Sequence, residues 1–215
     1  MKIKFYAQSA FRIIADDGTR IVIDPYEESG FLRYDPTFDE ADIVVVTHEH
    51  GDHNNIDAVP GNHDVVRGEG THTARGITFT GIPCYHDRDQ GAQRGPNAMI
   101  VFDIDGLRVA HLGDLGHELE DSEIEALAGA NILIAAVGGG PTLEPENVWE
   151  IVERVQPNVM IPCHFKTPEI DLPIEPIEVF LAGKPSVRNV GGSEVTITAA
   201  ELPDPIEVIV LERSR

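Results

Sequence analysis

The sequence predicts an α/β chain whose sheets carry helices on their outer faces, and three observations predict it. The first quarter is strand-like segments joined by polar turns. Between residues 121 and 165, short apolar runs alternate with helical patterns. The chain then returns to strand-like segments. Hairpins first, then β-α-β-α, then β, favours sheets with helices packed outside over an all-β sandwich.

The segments "KIKFYAQSAFRIIA" and "TRIVID" flank Asp16-Asp17-Gly18, and Asp-Gly favours a tight turn, so the first 24 residues read as a hairpin. "YEESGFLRYDPTFDEA" reads as a polar connector. "DIVVVT" is β-branched and apolar throughout, as in a strand covered on both faces. "ITFTGIPCYH" and "NAMIVFDI" are further strands, separated by the Gly-rich loop "DRDQGAQRGP". Asp105-Gly106 turns the second of them into "LRVAHLGD". "DSEIEALAG" predicts a short helix capped by Asp121 or Ser122 and stopped by Gly129. "ANILIAAVGGG" is a buried strand running into glycines. "EPENVWEIVERVQ" predicts an amphipathic helix with Val148, Ile151, Val152 and Val155 as its apolar stripe. "NVMIPCHF" is again a strand, "PIEPIEVFLAG" a helix, and "SEVTITA" and "IEVIVLE" the closing strands. With no internal repeat and no low-complexity linker, one domain over residues 1–215 is expected.

Composition narrows the function classes. Acidic residues outnumber basic ones 37 to 16, for a formal net charge of -21. Such a field repels nucleic acid and anionic membranes at long range, so no long nucleic acid and no membrane partner is expected. An anionic substrate would need a local positive centre. No apolar run approaches the roughly 20 residues of a membrane span, and "MKIKFYAQSAFRI" reads as a strand rather than a signal peptide. Cys84 and Cys163 do not make a disulfide framework. A cytoplasmic location is the resulting expectation.

The chemistry concentrates in Thr47-His48-Glu49-His50-Gly51-Asp52-His53, directly after "IVVV". A chain that turns at a strand end presents alternate side chains to one point. Imidazole nitrogen and carboxylate oxygen are the donors that zinc and similar metals take. A solvated polar loop would account for one histidine, but not for four ligand-type residues at H-x-H-x-D-H spacing. His86, Asp114 and His164 each close another strand-like run, so all of them line up for one edge of the sheets. Alone, each would pass as an ordinary polar residue. His63 and His72 lie in polar connectors and read as surface residues. His111 reads as a packing residue or a support of the ligands rather than a ligand, and Cys84 and Cys163 as small buried strand residues, with Cys84 on the same strand face as His86 and so open to a place near the site.

With these residues in hand, the sequence resembles the metallo-β-lactamase-fold hydrolases, and within them a small branch related to ascorbate-6-phosphate lactonase. "THEHGDH" matches the signature; "QSAFRI", "IVIDPY", "CYHD", "HLGD", "VGGGPTLEP" and "IPCHF" follow the branch's order along nearly the whole chain. The resemblance implies an αββα sandwich of two mixed β-sheets with helices on the outer faces. It implies a binuclear centre in which His48, His50 and His86 hold one metal, Asp52, His53 and His164 hold the other, and Asp114 bridges both. Asp24 would orient the signature loop. The ions implied are two divalent cations, zinc first, with manganese or iron as alternatives. Branch members often carry histidine where this chain has Gln8.

The implied activity is hydrolysis of a small ester-like substrate, a lactone or phosphodiester, by a metal-bridged hydroxide. Asp52 and Asp114 take part in catalysis, and His117, three residues past Asp114, is a candidate substrate contact. Aspartate at position 114 argues against antibiotic hydrolysis, because two-metal zinc β-lactamases commonly place a thiolate at the corresponding position. Two alternatives stand beside this: a phosphodiesterase of nucleotides or short RNA, and an iron-binding redox protein without hydrolysis. Homo-oligomers are common among relatives. The pocket mouth is expected from the connectors at residues 26–40, 54–75 and 87–97.

Overall fold

Two mixed β-sheets lie face to face in the computed structural model, which describes residues 1–214. The smaller sheet contains β1 (Lys2–Ala7), β2 (Ala10–Ile14), β3 (Arg20–Ile23), β4 (Ile43–Val46), β5 (Asp64–Arg67) and β13 (Glu194–Thr196), in the order β13-β1-β2-β3-β4-β5. The larger contains β6 (Gly70–Ala74), β7 (Ile77–Tyr85), β8 (Pro96–Ile104), β9 (Leu107–His111), β10 (Ile132–Ala136), β11 (Val159–Cys163), β12 (Val187–Asn189) and β14 (Glu207–Val210), in the order β12-β14-β11-β10-β9-β8-β7-β6. Strand alternation builds the core between them. Phe11, Ile13, Ile21, Ile23, Ile43 and Val45 of the smaller sheet meet Ile100, Phe102, Ile132, Ile134, Val159 and Ile161 of the larger. The residues in between, such as Val22, Val44, Leu133 and Met160, are buried on the outer faces. Double burial explains why these strands are apolar throughout.

The outer faces are covered differently. The helices α1 (Asp121–Ala126), α2 (Pro145–Val155) and α3 (Ile177–Leu181) pack on the larger sheet, through Val148, Ile151, Val152 and Phe180 among others. Val155 is half-buried beside them. On the smaller sheet, the expected helical layer is replaced among the described residues by the connector after β3, which lays Tyr26, Leu32, Tyr34 and Phe38 over Val22, Val44 and Val46. Pro25, Gly30 and Pro36 keep this segment from being helical.

The structure corrects several boundaries. The opening hairpin is a three-stranded meander, because the alternating pattern "KIKFYAQSAFRIIA" is broken at Gln8-Ser9, where Gln8 takes a left-handed φ of 54°. The 54–75 connector contains β5 and β6, whose mostly exposed, polar residues give little apolar periodicity. The exposed β12 was hidden for the same reason. Helix α1 is capped by Glu120, not Asp121 or Ser122, through a capping box with Glu123.

Candidate metal centre

Strand ends along one edge of the sandwich deliver the functional side chains. Gln8 follows β1, Asp24 follows β3, His86 follows β7 and His164 follows β11; the signature loop 47–53 follows β4, and Asp114 lies just past β9. Gln8, Asp24 and His164 occupy the left-handed region at φ 54°, 47° and 47°. For residues other than glycine that conformation costs roughly 1–2 kcal/mol, and here it turns each chain segment sharply at the edge. Gly113 (φ 57°) precedes Asp114 where a Cβ would collide with Asn97 and Thr47, so only glycine lets the segment approach the signature loop. Asn97 of β8 fixes that segment: its Oδ1 accepts from Asp114 N at 3.2 Å and its Nδ2 donates to Leu112 O at 2.9 Å.

The side chains converge in two groups. Donor atoms of His48, His50 and His86 lie within 4.8 Å of one another, as do those of Asp52, His53, Asp114 and His164. Asp114 touches both groups. Its Oδ2 lies 3.2 Å from His53 Nε2, 3.3 Å from His86 Nε2 and 3.4 Å from His164 Nε2. Burial pushes its carboxyl up, but the three imidazoles outweigh this and hold it well below the usual carboxylate range.

Hydrogen bonds fix the tautomers. Asp24 Oδ2 accepts from His53 Nδ1 at 2.9 Å and from Thr47 Oγ1 at 2.7 Å, and Oδ1 accepts from Thr47 N at 2.8 Å. The Thr47 hydroxyl has one proton and gives it to Asp24. Towards His48 Nδ1, 3.0 Å away, it can only accept. His48 therefore carries its proton on Nδ1, which leaves a bare Nε2 on the other side of the ring. Neither Nε2 of His48 nor that of His53 makes a well-aligned hydrogen bond, although both are buried. An unsatisfied buried group of this kind costs about 1–3 kcal/mol. A cation held by each donor group would satisfy these nitrogens, so the nitrogen and carboxylate set fits divalent metal.

Two cavities flank the centre. One of about 450 Å³ is lined by His50, Asp52, His86, Asp114 and His164, with Phe31, Leu172 and Pro173 as an apolar wall. The other, of about 590 Å³, runs past His48, His50, Tyr85 and Asn97. The connectors around 26–40 and 87–97 border the first, as expected; residues 54–75 contribute only Arg67, Gly68 and Glu69, to the second.

Residues 2–164 match the family model described as β-lactamase superfamily domain. A solved structure from Thermotoga maritima, assigned as a Zn-dependent hydrolase of the metallo-β-lactamase superfamily, aligns at 29% identity and a TM-score of 0.81, with 99% of each chain covered. The chain belongs to the metallo-β-lactamase superfamily. Among its relatives are UPF0173 metal-dependent hydrolases of Thermococcus onnurineus, 26% identical over 78% of this chain and 85% of that one, and of Methanoculleus marisnigri, 28% identical over 78% and 82%.

The chain brings His48, His50 and His86 into one group and Asp52, His53, Asp114 and His164 into another. Asp24 contacts the signature loop at Thr47 and His53. His117 stands apart from both groups: it is partly exposed, packs on the Tyr85 ring and faces Glu123. His111 is fully buried, accepts from Gly113 N and bonds Ser9 O at 3.1 Å, tying β9 to the Gln8-Ser9 turn. Cys163 lies in the inter-sheet core, and Cys84 packs on the outer face, accepting from Asn97. Sequence reasoning missed Thr47, Asn97 and Ser9, whose roles depend on backbone approach that no spacing encodes. Gln8 is buried and its Nε2 donates to Asp52 Oδ2 at 2.9 Å.

Proposed function

We propose that the chain is a hydrolase that uses a binuclear metal centre on a small ester-like substrate, a lactone or a phosphodiester. The observation that carries this reading is the contact of one carboxylate oxygen, Asp114 Oδ2, with histidines of both donor groups. His48, His50 and His86 would hold one ion, Asp52, His53 and His164 would hold the other, and Asp114 would serve both. Two divalent ions, zinc before manganese or iron, would supply Lewis acidity and an activated water near neutral pH.

The chain's own residues supply orientation and proton handling. Asp24 keeps the His53 proton on Nδ1 and directs Nε2 into the centre. Thr47 does the same for His48. Asp52 faces the first cavity with one oxygen held by Gln8, which leaves the other free to carry a proton to a leaving group. Phe31, Leu172 and Pro173 form a wall that excludes water from one side. A cavity of about 450 Å³ suits a small molecule and not a polymer, which favours this reading over RNA cleavage.

The test is metal content together with hydrolysis of an activated phosphodiester and a small lactone, each with and without chelator. Chelator-sensitive turnover of either one is expected with about two ions per chain. Bound iron with turnover of neither would move the chain to the redox alternative.

A further inference from the structure

Arginines in this acidic chain are almost all occupied. Every described arginine outside the loop joining β7 to β8 holds a carboxylate or a backbone carbonyl: Arg20 holds Glu40 and Asp42, Arg67 holds Glu49, Arg154 holds Asp121, and Arg33 holds the Pro168 carbonyl. Arg12, Arg75, Arg108, Arg188 and Arg213 are likewise paired. The exceptions are Arg88 and Arg94, whose guanidinium groups meet no described partner. Arg94 borders both cavities that flank the donor groups, and among the described residues it is the sole lysine or arginine on the smaller one.

The loop that carries Arg94 is preorganised. Asp87, next to His86, accepts from four backbone amides: Asp89 and Gly91 on Oδ1 at 2.8 and 3.0 Å, Gln93 and Arg94 on Oδ2 at 3.0 and 2.7 Å. Gly95 N bonds Gly91 O, and Gly95 O accepts from His86 N. The Arg94 backbone is thereby tied to a residue adjacent to the centre while its side chain stays free. A guanidinium presents five donors in a planar fork that matches carboxylate and phosphate oxygens. The surroundings otherwise repel anions: Glu27, Asp52 and Asp114 share the smaller cavity, and Glu49 and Glu69 border the other.

We propose that Arg94 is a specificity-determining residue that binds an oxyanion of the substrate, a carboxylate or phosphate group, beside His50 and His86. The inference rests on the hydrolytic reading above and narrows it to anionic substrates.

The experiment uses the full, metal-loaded chain, the wild type beside Arg94→Gln and Arg94→Lys. Calorimetry measures the binding of methyl phosphate and of acetate. Turnover is compared for 4-nitrophenyl acetate, the carboxylate-bearing 4-nitrophenyl succinate and methyl 4-nitrophenyl phosphate. In Arg94→Gln, one anion should bind at least about tenfold more weakly at equal metal content. The ratio of anionic to neutral kcat/KM should fall with it, chiefly through KM, and Arg94→Lys should recover part of the loss. The anion with the larger loss identifies carboxylate or phosphate as the group recognised. Anion binding within about twofold of wild type in Arg94→Gln would make Arg94 a solvated surface residue and overturn the inference. If no ester is cleaved by any form, the hydrolytic reading fails at these bonds, and the calorimetric arm alone still upholds or overturns the role of Arg94.

Discussion

The open group, His48, His50 and His86, reaches both cavities, whereas the buried group, Asp52, His53, Asp114 and His164, reaches only the smaller one, through Asp52, Asp114 and His164, and encloses His53, which has no exposed surface. The buried group is wired from outside: Asp24 grips His53, Gln8 grips Asp52, and the backbone of His164 donates to Gln8 O at 2.8 Å. In the open group, His48 alone has a comparable support, through Thr47. A buried ligand that is held in place loses little freedom when it binds metal, and an open one keeps room for substrate. On the proposed two-ion reading, the group with more outside supports would hold its ion the more tightly.

Removing Asp114, whose Oδ2 contacts histidines of both groups, should have the largest effect. Asp114→Ala is expected to lose both ions and to reduce hydrolysis to the chelated background, with circular dichroism showing the sheets intact. Retention of two ions and full turnover would show that the groups do not share Asp114.

Asp24 separates the groups more finely, because it reaches His53 directly and His48 only through Thr47. Partners of metal-bound histidine typically contribute about 10–100-fold in affinity. Asp24→Asn should therefore weaken the buried ion by about that factor and the open ion less. Thr47→Val keeps the shape, frees His48 Nδ1, and should weaken the open ion, by about tenfold, more than the buried one. Stepwise competition with a chromophoric chelator resolves the two. Equal losses at both positions in Thr47→Val would show that Thr47 supports the two groups alike.

The groups also differ in the sign of their pH dependence in metal-free protein. Burial, together with the charge of neighbouring His53, pushes His48 well below its ordinary value of 6.5. The unfolded chain then binds the proton more readily, so His48 contributes stability above about pH 6.5 that is lost as the pH falls. His53 is the reverse: burial pushes it down, but Asp114, Asp52 and Asp24 outweigh this and raise it well above 6.5. Its contribution is full below about pH 6.5 and is lost as the pH rises through its folded value. Each such proton changes stability by up to about 1.4 kcal/mol per pH unit. Thermal unfolding of metal-free protein across pH 5–9 should show His48→Asn flattened on the acid side and His53→Asn on the alkaline side. Matching slopes in the two variants would mean that the halves share one electrostatic environment.

How much of this the sequence shows follows the same division. The ligands are legible because each sits at the end of a β-branched or apolar run, and four of them fall in one loop after "IVVV". The sheets are legible where both faces are buried, as in β4, β10 and β11, and illegible where strands are exposed, as in β5, β6 and β12. The supports are harder to see. Gln8 lies inside a segment that reads as one strand, and its left-handed φ reveals the turn that brings it to Asp52. Asn97 and Thr47 act through contacts between strands far apart in sequence. Arg94 stands out only once the other arginines are seen to be paired.

Gln8 offers the smallest and most selective test. Its backbone carbonyl holds His164 N, while its side chain holds Asp52, so a variant must spare the first to report on the second. Alanine would be strained at φ 54°, whereas asparagine tolerates the left-handed region. Gln8→Asn keeps the turn, but its amide is one methylene too short to reach Asp52. A hydrogen bond of this kind contributes about 0.5–1.5 kcal/mol, so kcat/KM should fall by only about two- to tenfold, with the buried ion retained because His53, Asp114 and His164 still hold it. Loss of that ion in Gln8→Asn would mean that Asp52, rather than the Asp24-supported His53, anchors the buried position.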